Sequence, residues 1–308
     1  MRPALVALAV AVVAGWPFVV GPYLIRLASF ACLYSVLALS WNFIGGLVGY
    51  PSFATAAFFG LGAYTGAIAQ GHGVPMPAAW LAAAGLATMF ATALGWAILR
   101  LRGHYFAVAS LVVGEVLREV ANAATGVTGG GMGLNLPILR LDVAVQARLF
   151  YGALAGLAAA ALAVTLLVDR HRLGLGLRVI EQNEDAASMV GVDTTRYKTL
   201  AFVLSATFVG AAGAIYASWV NYIEPADVFD VLLSVKPIVM VLLGGAGTVL
   251  GPVVGAVVFL ALEELVWRNF LSIHAGLLGL IIVVLVFVLP RGLLSLDLRA
   301  LRRRHRPA

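Results

Sequence analysis

The sequence predicts an all-α integral membrane protein: a polytopic helical bundle of about ten membrane segments, some broken or re-entrant. Three observations predict it. Hydrophobic residues make up 62% of the 308 residues and charged residues only 11%, with a mean hydropathy of +1.00, whereas about a quarter of the residues in soluble domains are charged. No Asp, Glu, Lys or Arg occurs from Leu27 to Leu99, a run of 73 residues, and one bilayer crossing takes about 20 apolar residues. Segments in lipid must satisfy their own backbone hydrogen bonds, which selects helices and, on this reading, no sheet.

Taken in order, the apolar runs place spans at roughly 4–20, 23–43, 53–70, 77–99, 105–123, 146–168, 198–222, 233–246, 249–267 and 275–290. The first follows Met1-Arg2-Pro3 without a small-x-small cleavage site before Trp16-Pro17, so it reads as an uncleaved helix. Two glycine-rich breaks interrupt apolar runs, Gly45-Gly46-Leu47-Val48-Gly49-Tyr50-Pro51 and Gly244-Gly245-Ala246-Gly247, and hint at a weak internal repeat. Such breaks are tolerated at membrane depth where the backbone is buried in protein or lines a water-filled cavity. A third glycine-rich piece, Thr125 to Gly133, reads as a flexible outer loop. Small residues at Gly60, Gly62, Ala63, Gly210, Ala211 and Gly213 predict close helix packing.

Charge sets the orientation. The net +6 comes from 18 Arg and 2 Lys against 14 acids, and the basic residues cluster at helix ends, which points to membrane topology and not to nucleic acid. Arg100 and Arg102 lie in one connection, Arg170, Arg172, Arg178, Arg196 and Lys198 in or beside another, and Arg291 to Arg306 at the C-terminus. With ten crossings all three fall on one side, which the positive-inside rule makes the cytoplasm, with both termini. The opposing connection from Asn221 to Leu233 carries Glu224, Asp227 and Asp230 and no basic residue. The chain thus reads as one transmembrane domain, 1–308, with a cytoplasmic loop at about 169–197. One cysteine, Cys32, excludes an intrachain disulfide and a Cys-rich metal site.

Within that loop, Arg178 to Lys198 is a polar island with the signals of a very short helix. Asn183 is an N-cap type, Glu184 and Asp185 place negative charge in the first turn, and Gly191 suits the left-handed position after the last. Helices this short are unstable alone, so the stretch Glu184 to Val190 requires a docking surface. Ala186, Ala187 and Val190 are expected to share one side. Asp193 offers a second N-cap for the next apolar helix. A solvated loop with one turn of helix is the competing reading.

No pattern supports an enzyme. The five histidines are scattered, no nucleophile elbow or His-Glu-x-x-His occurs, and no Gly-Lys-Ser/Thr loop is present, so ATP chemistry has to come from another polypeptide. Glu115, Arg118 and Glu119 are placed toward the outer end of their span, with Arg118 set to pair with Glu115, and Glu263, Glu264 and Lys236 also lie near span ends. This scarcity of central charge weighs against an ion-coupled carrier or channel, the alternative class of transporter. The candidate solute path is Tyr50, Ser52, Phe53, Thr55, Phe59 and Tyr64, where a broken helix gathers hydroxyls and rings; packing alone is the competing reading.

These residues resemble the LivM type of permease subunit of branched-chain amino acid ABC importers. E-D-A-A-S-M-V-G from Glu184 is similar to the family's E-A-A loop. R-L-R-G-H-Y-F-A-V from Arg100, A-A-F-F-G-L-G-A-Y-T from Ala56, T-G-G-G-M-G-L from Thr128, V-L-L-G-G-A-G-T-V-L-G-P from Val241 and L-P-R-G-L-L from Leu289 are similar to family motifs in the same order. The chain departs from the pattern at Ala54-Thr55, where many relatives carry Gly-His. The resemblance implies a bacterial inner-membrane importer of leucine, isoleucine and valine, with urea, short amides or small carboxylates as relatives' substrates. It implies a LivH-like second permease, two ATPase subunits that bind ATP and Mg, a periplasmic binding protein, and no cofactor in this chain. It also implies that Glu184, Asp185, Ala186, Ala187, Val190 and Gly191 couple to an ATPase.

Overall fold

The computed structural model describes residues 20–269 together with 276, 279, 284 and 292–295. The spans expected at 4–20, apart from its last residue, and at 275–290, apart from three isolated positions, lie outside them, as do both charged termini. The other eight expected spans are helices: α1 Pro22–Trp41, α2 Thr55–Gly71, α3 Met76–Ile98, α4 His104–Ala123, α5 Val143–Arg170, α8 Thr194–Val220, α9 Leu232–Gly244 and α10 Gly251–Asn269. Between α5 and α8 lie two short ones, α6 Arg172–Gln182 and α7 Glu184–Met189. Among the described residues, Pro22–Gly46, Met76–Ile98, Val143–Arg170 and Thr194–Val220 are long and apolar enough to cross a membrane. α9 has 13 residues, about 20 Å, shorter than the hydrocarbon core of about 30 Å.

Glycine and alanine decide how these helices meet. α8 packs against both α2 and α3. A Cβ on Gly62 would stand 2.0 Å from the Gly210 carbonyl oxygen, one on Gly213 2.1 Å from that of Phe59, and one on Gly210 2.5 Å from Ala87 Cβ. Across the same contacts Gln70 and Trp80 both donate to Ser218 Oγ at 2.9 Å, and Thr88 and Thr207 hydroxyls meet at 2.6 Å. The core around this trio includes Phe58, Phe59, Phe106 and Phe202, all fully buried.

The two glycine-rich breaks come together. α1 runs into a π-helical turn at Asn42–Gly46, where Gly45 admits the Trp41 ring and Gly46 admits the Asn42 amide. Asn42 then bridges to the other break: its Nδ2 donates to Thr248 O at 3.0 Å and its Oδ1 accepts from Gly247 N at 2.9 Å. Trp41 Nε1 donates to Ser52 O at 2.8 Å, which fixes the chain on its way to α2.

Two expectations are corrected. The reading of no sheet gives way to a two-stranded antiparallel ribbon, β1 Leu134–Asn135 with β2 Tyr222–Ile223, pairing Leu134 with Ile223 and Asn135 with Tyr222. It satisfies the backbone of two long connections at one end of the bundle, a local need that hydropathy does not register. The Thr125–Gly133 loop is ordered as a helical turn and a 3-10 turn, with Gly129, Gly130 and Gly133 at positive φ. The connections after α1, α3 and α5 gather at the opposite end: Tyr50, Arg102 and the α6–α7 segment are in contact there. This agrees with the alternation that charge parity requires.

Candidate functional site

The polar insertion begins where α5 stops. The His171 ring accepts from Leu173 N to start α6, a helix that the charge-rich sequence did not reveal. α6 buries Gly174, Gly176, Leu177 and Ile180, and a Cβ on Gly176 would stand 2.3 Å from the Tyr197 ring. Asn183 ends α6 and caps α7, its Oδ1 accepting from Ala186 N at 3.0 Å. α7 ends at Met189 with Val190 as its C-cap, and Gly191 follows with φ +87°. Asp193 Oδ1 then accepts from Arg196 N at 3.1 Å at the start of α8. The capped two-turn helix read from the sequence is present.

What holds α7 is a buried charge cluster. Lys198, 2% exposed, donates from Nζ to Glu184 Oε1 at 2.6 Å, to Leu99 O at 3.0 Å and to the Tyr50 hydroxyl at 3.3 Å. Its ammonium also lies 4.8 Å from the Tyr50 ring centre. The Tyr50 hydroxyl donates to Glu184 Oε2, and Arg102 reaches Asp185 Oδ1 at 2.9 Å from the solvent side. Burial alone would raise the Glu184 carboxyl, but the hydrogen bonds from Lys198 and Tyr50 and the nearby cations hold it below its usual value. Burial and the bond to Glu184 push the Tyr50 hydroxyl well up, so it remains a donor. Four segments therefore meet on one ammonium, that of Lys198: the chain before α2, the end of α3, α7 and the first turns of α8.

This arrangement divides the expected site residues. Glu184 and the fully buried Ala187 face this chain's own core, while Asp185, Ala186, Val190 and Gly191 face outward. The shared side expected for Ala186, Ala187 and Val190 is thus split, because Glu184 fixes the rotation of α7. Its free apolar tip is Met189, 86% exposed, with Val190, 74% exposed. Sequence reasoning missed Met189, Lys198, Arg102 and the Leu99 carbonyl as members. Lys198 was the findable one, a lone lysine opening an apolar helix.

The residues of the candidate path are packed. Tyr50 belongs to the charge cluster; Ser52, Thr55 and Phe59 are buried, and Phe53 is tied through its backbone to Ser110 and Ser234 hydroxyls at 2.9 and 2.7 Å. Tyr64 stacks on Phe229 with 6.0 Å between ring centres, and its buried hydroxyl meets no hydrogen-bond partner among the described residues. None of the six lines the cavity of about 660 Å³ bordered by Tyr23, Arg26, Phe30, Gln146 and Trp219. The expected Glu115–Arg118 pair forms at 3.2 Å, and Lys236 pairs with Glu263 at 2.8 Å, beyond the local pairings expected.

A helical bundle with spans long and apolar enough to cross a membrane and a polar insertion pinned by internal charge defines a polytopic membrane protein. The chain belongs to the family described as "Branched-chain amino acid transport system / permease component", whose profile matches residues 23–289. It is similar to the high-affinity branched-chain amino acid transport system permease protein LivM of Escherichia coli K12, at 29% identity over 95% of this chain and 74% of that one. LivM of Salmonella typhimurium is 28% identical over the same shares. The chain is also similar to the high-affinity branched-chain amino acid transport system permease protein LivH of E. coli K12, at 24% identity over 85% of this chain and 91% of the relative. No solved structure matches the chain.

Proposed function

We propose that this chain is the LivM-type subunit of an ATP-driven importer of branched-chain amino acids in a bacterial inner membrane. It pairs with a LivH-like permease, two ATPase subunits on the cytoplasmic face and a periplasmic binding protein, and α7 is its coupling helix. The observation that carries this reading is the exposed Met189–Val190 tip on a helix whose other side is bolted to the bundle through Glu184. Burying such side chains in a partner's groove stabilises the contact by about 2 kcal/mol each.

In this mechanism the tip binds the ATPase and the charge cluster transmits its movement. When ATP closes the ATPases, α7 is carried with them. Because Lys198 holds Glu184, the end of α3 and Tyr50 at once, the displacement reaches α3, α8 and the segment leading to α2 as one body. Packed interfaces of this kind switch between discrete arrangements and do not deform continuously. Both permease types recur among the relatives, LivM and LivH, which supports a heteromeric pair.

Reconstitution tests the reading. The complete complex in proteoliposomes should accumulate radiolabelled leucine only with ATP and binding protein present. Uptake by this chain alone, driven by an ion gradient and indifferent to ATP, would point to a secondary carrier. Calorimetry of the binding protein that binds only urea, an amide or a small carboxylate would keep the machinery and replace the substrate.

A further inference from the structure

α4 presents charge where lipid would not accept it. One face, Phe106, Ser110, Gly114 and Ala121, is buried. On the other side Val108, Val112, Val116 and Val120 are 50–60% exposed, and Glu115, Arg118 and Glu119 rise among them. The Glu115 and Arg118 side chains, 3.2 Å apart, are 43% and 39% exposed, and Glu119 is exposed one turn beyond Glu115. Glu115 lies eleven residues past His104 in a 20-residue helix, about 16 Å along a rod of about 30 Å. That is the middle of the helix, with Arg118 and Glu119 about one turn further toward the outer end expected from the sequence. Ionised side chains at such depth face protein or water. α3 supplies the contrast: its exposed Leu81, Met89 and Trp96 belong to a 23-residue helix with no charged residue, a face suited to lipid.

We infer that this side of α4 walls the water-filled solute route, on the side closed by the second permease subunit. The surface matches an aliphatic zwitterion: Glu115 and Glu119 suit its ammonium, Arg118 its carboxylate, and the valines its branched side chain. The solute's identity rests on the proposed import function; the presence of water beside α4 does not.

The two are separable in one experiment on the complete complex in membrane vesicles, in a Cys32→Ser background. Val112→Cys and Met89→Cys are treated with a charged, membrane-impermeant methanethiosulfonate, and leucine uptake and subunit co-purification are measured in parallel. Val112→Cys should react about ten-fold faster or more, as water access at mid-span requires, and leucine turnover should slow the reaction. Equal rates, whether from lipid or from a dry subunit contact, would overturn the route. Fast labelling in a complex that moves no leucine would keep the route and reject the solute. Normal uptake with an unreactive Val112→Cys would do the reverse.

Discussion

Lys198 Nζ lies 2.6 Å from Glu184 Oε1, joining the first turns of the long helix α8 to the first turn of the exposed helix α7. With side chains 3% and 13% exposed, the pair is shielded from water, unlike Arg196–Asp193 nearby, whose side chains are 84% and 48% exposed. The difference matters because exposed pairs contribute little, whereas breaking a buried one leaves an uncompensated charge.

Lys198→Met should therefore lower the stability of the α7 segment by about 3 kcal/mol or more. Lys198→Met with Glu184→Gln should cost less than the two changes added, because the second removes the charge that the first strands. Thermal unfolding of the detergent-solubilised complex, read by intrinsic fluorescence, checks both.

The Glu184 carboxyl is held below its unfolded value of about 4.3. A depressed carboxyl contributes stability that is present above the unfolded value and lost as pH falls through the folded one. α7 should stay protected at pH 5 to 7 and loosen below about pH 4. Hydrogen-exchange protection factors of residues 184–191 report this, and Glu184→Gln should flatten the profile.

Asn183→Ala removes the acceptor for Ala186 N and should destabilise α7 by about 1 kcal/mol. Gly191→Ala meets no side chain or backbone neighbour but must adopt φ +87°, at a cost of about 1 kcal/mol. Both should speed amide exchange in residues 184–191 and leave that of α2 and α3 unchanged.

At the helix contacts, Gly62→Ala drives a methyl to 2.0 Å from the Gly210 carbonyl oxygen. Overpacking of this kind costs about 1–3 kcal/mol. Gly85→Ala, on an exposed stretch of α3 with nothing within 4 Å, should stabilise that helix by up to about 1 kcal/mol. Thermal unfolding of the two variants should move in opposite directions.

Much of this architecture is legible in the sequence because lipid imposes a simple rule on composition. Apolar run length located the eight described long helices, and alternation of basic loops placed Arg102 and the 172–193 insertion at one end before any contact was known. The caps of α7 were legible because Asn183, Asp193 and Gly191 act on backbone within a few residues. Rotation of α7 was not: it depends on Lys198, Tyr50 and Leu99, which are distant in sequence and meet only after the bundle forms. The same applies to the β1–β2 ribbon, where tertiary contact and not local pattern decides.

The most direct test of the coupling role is cross-linking from the α7 tip. Met189→Cys in the Cys32→Ser background, in the assembled transporter, should form a product with the ATPase subunit through a short bifunctional maleimide, and ATP should change its yield. A fully assembled complex in which Met189→Cys never reaches an ATPase, and is instead labelled from the periplasmic side, would contradict the account.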